Sequence, residues 1–425
     1  MQFERVKGTY DMLGKHAVLF KNVTDKLKIT MEGYGFSYAQ TAVLQPMEMF
    51  KRAVGNETDI VNKEMFEIKS KSGKEYVLKP EETAPLMRSV IESNFVQGLE
   101  VKKLYYITPL FRHERPQKGR FREFYQYGVE TLNSSDFRRD CELIMLGEGI
   151  LKAFEIKKYK IEINSIGCRT CRPEYTAKLK KYFSEKSSGL CKQCRVRLDS
   201  NPLRVLDCKE SACKIVASGA PKMIDSLCEE CKTDFERVKG CLDEFKIDYT
   251  LNPMIVRGLD YYTKTVFEFI ETGDALGSQS TLIGGGRYDM LSKELGGQDM
   301  PSCGFAGGIE RLILSIPENI RKTIESENVI DAFIVHFGKE TAKAAFSLTE
   351  SLRQRSIRAE ILFETDKIKK QLSLASGKAR LAVIIGEEEI KDKTVLIKNL
   401  ADQKQEKIEF NADKIAEYIK GVKDV

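Results

Sequence analysis

Histidine is scarce in this chain: only His16, His113 and His336 occur in 425 residues. None lies in an H-E-x-x-H helix or a nucleophile-elbow turn, so zincin and serine-hydrolase mechanisms are disfavoured. No G-x-x-x-x-G-K-[ST] loop is present, and Gly284-Gly285-Gly286-Arg287-Tyr288-Asp289 does not complete G-x-G-x-x-G. Any nucleotide is therefore held without a P-loop or a Rossmann fingerprint. No stretch reaches the ~18 uninterrupted apolar residues of a membrane span. Residues 1–11 carry charges where a secretory leader needs an apolar run. The expectation is a cytosolic protein with no membrane contact.

What is present points to a multidomain globular enzyme. At 42% hydrophobic the chain exceeds the ~250–300 residues at which single cores stop growing. Its 69 basic and 63 acidic residues leave a net charge of +6, a weak pointer to a polyanionic partner. Phe20, Val23, Leu27 and Met31 recur at helical spacing and predict an opening amphipathic helix, stopped by Gly33 and Gly35. A strand-like stretch follows from Phe36 to Pro46. Leu104 to Phe111 and Phe124 to Val129 are aromatic and β-branched runs, predicting two antiparallel strands joined by a long basic loop. Thr265 to Ile270 is a further strand candidate, and Gly304 to Leu314 reads as a Gly-rich entry into a helix. Strands and helices without regular βαβ alternation suggest an α+β fold with an antiparallel core. Cysteines, lysines and helix-like stretches replace strands at about 168–241, which looks like an insertion. After a polar stretch near Pro317, short strands alternate with helices, indicating a small C-terminal α/β domain.

The run Glu123 to Glu130 carries the most local information. Strand parity sets Phe124, Gln126, Gly128 and Glu130 on one face, so an aromatic plate, an amide, a gap and a carboxylate line up. Unpartnered buried Gln and Glu would cost ~1–3 kcal/mol each. The gap at Gly128 therefore suggests room for a small cationic, hydrogen-bonding ligand. The competing reading is an edge strand with one solvated face. Arg112 precedes the loop, and Glu114, Arg115, Lys118 and Arg120 lie within it, so phosphates are natural guests. A solvated charged loop is the alternative.

Eight of the eleven cysteines pair in sequence as Cys168/Cys171, Cys191/Cys194, Cys208/Cys213 and Cys228/Cys231. Cytosolic thiols stay reduced, leaving free thiols or metal ligands. The first two pairs fit the C-x₂-C-x₁₅₋₂₀-C-x₂-C spacing of a structural zinc site, and the last two form a less regular second set. Unligated thiols are the alternative.

The string Phe111 to Phe124, with Gln126 and Glu130, resembles motif 2 of class II aminoacyl-tRNA synthetases in its histidyl form. Arg257-Gly258-Leu259-Asp260-Tyr261-Tyr262 and Gly285-Gly286-Arg287-Tyr288-Asp289 resemble the two histidine-specific motifs of histidyl-tRNA synthetases. Gly304 to Arg311 resembles motif 3, and Phe36 to Pro46 resembles motif 1. The resemblance spans nearly the whole chain. It implies a class II catalytic domain over 1–325 with the insertion inside it, an anticodon-binding domain over 328–425, and a homodimer. It also implies activation of L-histidine with ATP and Mg²⁺, followed by transfer to tRNA(His).

The residue roles that follow are those of the family. Arg112 and Arg257 are the catalytic cations, touching the ATP α-phosphate and the histidine carboxylate. Arg311 clamps the distal phosphates, Phe124 stacks on adenine, and Glu114 and Arg120 complete the ATP site. Glu81 and Thr83, with Gln126, take the substrate ammonium. Glu130 and Tyr262, with Tyr261 and Tyr288 close by, read the imidazole, since an acceptor and phenol hydroxyls satisfy both ring nitrogens. Lys79 and Glu82 depart from the family pattern, an arginine being usual at the first and a small or apolar residue at the second. The extra carboxylate at Glu82 is expected to bear on ammonium affinity. The alternative function is an inactive, histidine-binding regulatory subunit of the same fold. Arg257, Arg311 and a full C-terminal domain weigh against it.

Overall fold

The computed structural model describes residues 3–55, 58–208, 210–277, 280–326, 330–338 and 341–422. It divides into two compact units, 1–322 and 323–425. The expected start of the C-terminal domain at Asn328 falls outside the described residues.

The first unit is built on an eight-stranded sheet. In spatial order its strands are Ser37–Tyr38, Lys102–Phe111, Glu123–Leu132, Ser302–Gly308, Thr281–Arg287, Thr263–Glu271, Tyr159–Ser165 and Thr250–Leu251. The six inner strands pair antiparallel and only the two short outer strands pair parallel. The strand Glu123–Leu132 is thus central, bonded along both sides, which overturns the edge-strand reading. Helix Arg138–Ala153 covers the back face, where a Cβ at Gly147 would lie 2.8 Å from the Phe269 ring. The opening helix, Gly14–Gly33, buries Leu19, Val23, Leu27 and Met31. Phe20, expected on that face, is only half-buried and meets Tyr125 edge-on at 4.9 Å.

The Gly-rich stretch expected to lead into a helix begins as a central strand, Ser302–Gly308, and turns helical only at Ile309–Ser315. Glycine is a poor strand former, and here it marks close approach of other groups. Around residues 37–46 the expected continuous strand is two short ones, Ser37–Tyr38 and Leu44–Pro46. The second joins Glu75–Leu78 and Phe66–Lys69 in a separate small sheet.

The insertion is helical, with helices Arg172–Glu185, Lys192–Ser200, Ser211–Ser218 and Glu229–Glu244. Its core combines Tyr175, Leu179, Phe183 and Val205 with buried cysteines. The eight cysteines sort into two sets, Cys168, Cys171, Cys228, Cys231 and Cys191, Cys194, Cys208, Cys213. The pairing read from spacing is therefore wrong: the first pair meets the last, and the second meets the third. Helix Arg172–Glu185 explains the error, because at ~1.5 Å per residue it carries the chain roughly 21 Å away before the second pair begins.

In the second unit the strands run in the order Ala359–Ile361, Ile330–His336, Ala379–Ile385, Thr394–Asn399 and Gln405–Glu409. The first three are parallel, with helices Thr341–Gln354 and Ile368–Ser376 between them, as α/β alternation predicts. The last two add an antiparallel hairpin that the sequence reading missed. The Gln405–Glu409 strand is almost wholly exposed and polar, so no apolar alternation announces it.

The tight seam of the main sheet gives a test. A Cβ on Gly285 would stand 2.4 Å from the Gly304 carbonyl and 2.5 Å from the Phe305 Cβ, neither of which can swing away. Gly285→Ala is expected to lower stability by about 1–3 kcal/mol, as overpacking does. An unchanged urea midpoint would contradict this packing.

Candidate active site

Residues paired directly across antiparallel strands share a face, so Gly308, Ala306 and Gly304 lie beside Gln126, Gly128 and Glu130. Gly284 and Gly286 continue the row, and Glu268 stands beyond Gly284. The centre of this face is thus nearly bare of side chains of its own. Other groups occupy the space. A Cβ at Gly304 would lie 1.7 Å from the Glu130 carboxylate, and one at Gly284 would lie 2.2 Å from the Arg257 guanidinium. At Gly128 the space read as ligand room is filled by Tyr106, whose ring would meet a Cβ at 2.3 Å. Tyr106 comes from the neighbouring strand, directly opposite Gly128.

Over one end of the face lies a cleft of ≈ 250 Å³. Seven of the expected residues line it: Arg112, Glu114, Arg120, Phe124, Gln126, Arg257 and Arg311. Arg112 donates through Nε to the Pro80 carbonyl at 3.0 Å, and its guanidinium stands 5.4 Å from the Phe124 ring centre. Glu114 bonds Arg120 at 2.6 Å. Arg311 is fixed by the carbonyls of Gly119 (3.2 Å) and Thr281 (3.0 Å), so the loop and the start of one strand hold its position. Burial lowers the Arg311 pKa, and the cations Arg120 and Arg112 push the same way, so the cleft concentrates positive charge. Arg257 pairs with Glu268 and lies 5.6 Å from the Tyr262 ring centre, yet its Nε is buried with no protein acceptor.

The remaining expected residues form a buried polar cluster. Glu130, 1% exposed, accepts from Thr83 Oγ1 at 2.7 Å and from the Tyr288 hydroxyl. Tyr261, Tyr262 and Tyr288 pack ring to ring with centroids 4.7–6.5 Å apart. Glu81 accepts the backbone N–H groups of Thr83 (2.9 Å) and Ala84 (3.0 Å) at the start of helix Thr83–Glu92. The Tyr261 hydroxyl stands 3.5 Å from the same carboxylate. Burial pushes the Glu81 carboxyl up to about 7, against the pull of its two backbone donors. Burial likewise raises Glu130 to about 8, opposed by the hydrogen bonds from Tyr288 and Thr83. Two carboxyls thus titrate near neutrality beside three phenols, a concentration typical of functional sites.

Glu82 points away from this cluster. It forms an ion pair with Lys79 at 2.6 Å, with both side chains fully buried, and Lys79 also donates to the Thr41 carbonyl at 3.3 Å. The two departures from the family pattern are one compensated pair, and the Glu82 charge still pushes the Glu81 and Glu130 carboxyls up, so any influence on ammonium affinity runs through Glu81 and not through direct contact. Arg287 is a structural pin, bonding Asp140 (2.9 Å) and the carbonyls of Ser134 (2.8 Å) and Asp136 (2.7 Å), and it fixes the end of the strand just before Tyr288. Sequence reasoning missed Tyr106, Glu268 and Glu310. Glu268 shares its parity with the buried Val266, a sequence signal of a half-buried carboxylate in need of a cation. Glu310 anchors the Tyr125 N–H at 2.7 Å and the Tyr10 hydroxyl at 2.5 Å.

A six-strand antiparallel core with fixed arginines over a glycine-lined face defines a class II synthetase catalytic fold. The sequence model of histidyl-tRNA synthetase matches residues 8–312, and that of the anticodon binding domain matches residues 331–421. A histidine–tRNA ligase of Caldanaerobacter subterraneus subsp. tengcongensis is 40% identical over 97% of this chain and 98% of its own. One from Thermotoga petrophila is 39% identical over 99% of both chains. The apo histidyl-tRNA synthetase of S. aureus superposes with a TM-score of 0.81 at 31% identity, covering 99% of this chain and 100% of that one. The chain belongs to the histidyl-tRNA synthetase family and is a ligase.

The Lys79–Glu82 pair is open to test. Glu82→Ala strands a buried ammonium and is expected to cost about 3–5 kcal/mol of stability. Replacing both residues by apolar ones of similar volume should recover most of the loss in denaturant titrations. A Glu82→Ala protein as stable as the parent would show that the pair is not buried.

Proposed function

We infer that the cleft and the buried cluster together activate L-histidine with ATP and then charge tRNA(His). One observation carries the residue-level reading: Arg112, Arg257 and Arg311 converge on a cleft, and Arg257 stands against Tyr262 of the buried cluster of two carboxyls and three tyrosines. Phosphates suit the first half, and an ammonium and an imidazole suit the second.

In the first step a histidine carboxylate oxygen attacks the α-phosphorus, forming the C–O–P link as the bond to pyrophosphate breaks. No covalent help from the protein is required, and positioning with fixed charge supplies most of the barrier reduction. Arg112 and Arg257 flank the reacting groups, with Arg257 held in the cleft wall by Glu268. Arg311 holds the distal phosphates, Phe124 stacks on adenine beneath Arg112, and Glu114 and Arg120 close the rim. Glu81, in its ionised form, takes the ammonium with Thr83 and Gln126. Glu130, Tyr262, Tyr261 and Tyr288 hold the imidazole. Mg²⁺ bound with ATP supplies neutralising charge on the departing pyrophosphate, and the Glu114 carboxylate in the cleft is a fitting oxygen ligand for it. In the second step the tRNA 3′-terminal hydroxyl attacks the mixed anhydride and AMP leaves.

The catalytic domain of this reading spans 1–325 with the insertion at about 168–241, and the anticodon-binding domain spans 328–425. The remaining assignments are a cytosolic homodimer and structural zinc on the insertion cysteines. Exposed Tyr38 and Leu44 in the motif 1 stretch offer apolar surface to a second copy. Among the described residues, no helix is long and apolar enough to cross a membrane.

The test is amino-acid-dependent ATP–pyrophosphate exchange across a panel of amino acids. Histidine alone should support exchange, and no exchange with histidine would overturn the reading. Arg257→Ala should slow adenylate formation by about 10²–10³-fold with a smaller effect on histidine binding. An unchanged chemical step in single turnover would remove Arg257 from the mechanism.

A further inference from the structure

The eight insertion cysteines form two tetrads, in each of which all four sulfurs lie within 4.8 Å of one another. Cys168 Sγ stands 3.7 Å from Cys171 Sγ and 3.9 Å from Cys228 Sγ, and Cys191 Sγ stands 4.0 Å from Cys208 Sγ. A disulfide needs about 2.05 Å. A tetrahedron of thiolates at about 2.3 Å from a zinc ion has edges of roughly 3.8 Å. Backbone amides also point at the sulfurs: the Cys228 N–H donates to Cys171 Sγ at 3.1 Å, and the Cys191 N–H donates to Cys213 Sγ at 3.1 Å. Such donors stabilise thiolates. Ordinary apolar packing gives no reason for eight thiols to divide into two mutually touching fours.

The tetrads are nested, because the outer one closes the insertion at its base and the whole of residues 172–227 lies between its two halves. Beside each tetrad stands a side chain that reaches the segment carrying Arg257, Tyr261 and Tyr262. Arg172, next to Cys171, donates to the Tyr262 carbonyl. Arg204 and Asn201, between the halves of the inner tetrad, donate to Asp260 Oδ1 at 2.6 Å and 3.2 Å. Met254 and Val256 pack into the insertion core itself.

We propose that each tetrad binds one zinc ion and that the two ions together hold the insertion as a buttress behind residues 254–262, so that metal occupancy sets Arg257 and the histidine site and leaves the ATP-site residues outside that segment, Arg112, Phe124 and Arg311, largely alone. The thiols give up their protons on binding, and four thiolates leave no coordination position for substrate. The coupling to histidine rests on the function inferred above, whereas the metal sites do not.

The experiment uses full-length protein purified without chelator. Elemental analysis should find two zinc ions per chain, with one lost in Cys228→Ser/Cys231→Ser and the other in Cys191→Ser/Cys194→Ser. Cobalt replacement should give the charge-transfer and d–d bands of a tetrahedral four-sulfur site. Removing zinc should speed hydrogen exchange in residues 254–262, a readout independent of activity. Arg204→Ala, which keeps all eight ligands, should retain both ions and raise the KM for histidine about fivefold or more in pyrophosphate exchange, with the KM for ATP little changed. Metal-free protein that takes up no zinc and shows eight titratable thiols would overturn the sites. Two bound ions, with neither faster exchange on stripping nor a histidine-selective effect of Arg204→Ala, would overturn the buttress. A parent protein that binds two ions but exchanges no pyrophosphate with histidine would overturn the function while leaving the metal sites standing.

Discussion

The Glu130 carboxylate rests against the backbone of Gly304, with Thr83 and Tyr288 as donors and almost no exposure to water. Burying an acid this way costs free energy unless donors meet it, and the surroundings are arranged to supply them. Gly304 must lack a Cβ. Tyr288 must follow directly on a strand whose end Arg287 pins to Asp140. Thr83 must begin a helix whose first amides are taken up by Glu81. The small sheet that delivers Lys79 to Glu82 is anchored in turn by the buried Lys79–Glu82 pair. One polar contact in the sheet therefore constrains elements far apart in sequence.

On the proposed function, binding is divided between two environments. The cleft is open and cationic, and its arginines are tied to carbonyls, so charge is held in place before substrate arrives. The inner cluster is dry and rich in acceptors and phenols. A site built to pair polar groups rejects analogues lacking them far more strongly than an apolar pocket rejects a missing methylene. Selectivity for an imidazole is therefore expected from the inner cluster, and rate from the cleft. Arg257 joins them, being in the cleft with its guanidinium near the Tyr262 ring.

Strand parity was legible in the sequence because period-2 alternation survives any tertiary context, so the shared face of Phe124, Gln126 and Glu130 was read before its neighbours were known. The motif strings placed seven of the side chains that line the cleft, from Arg112 to Arg311. Contacts between segments distant in sequence were not legible. Nothing local says that Tyr106 fills the space over Gly128, whereas the Lys79–Glu82 pair, three residues apart, was within reach of a local reading. The cysteine pairs could be recognised as knuckles, but which knuckles meet depends on how long the intervening helices run, and linear spacing alone gave the wrong partners. The edge strand Gln405–Glu409 was missed because an exposed polar strand needs no apolar alternation, whereas its partner Thr394–Asn399 buries Val395 and Ile397 in alternation and was legible.

The central claim is that Glu81 and Glu130 are held partly protonated by burial and that histidine draws Glu81 into its ionised form. A carboxyl at about 7 in the free protein and lower in the complex must release its proton on binding. Affinity should therefore rise with pH from the ordinary carboxylate range through about 7. Calorimetric titration of histidine at pH 7, in two buffers of different ionisation enthalpy, measures this directly. The account predicts net proton release by the parent protein and a much smaller release by Glu81→Gln. A binding enthalpy identical in both buffers for the parent would contradict it.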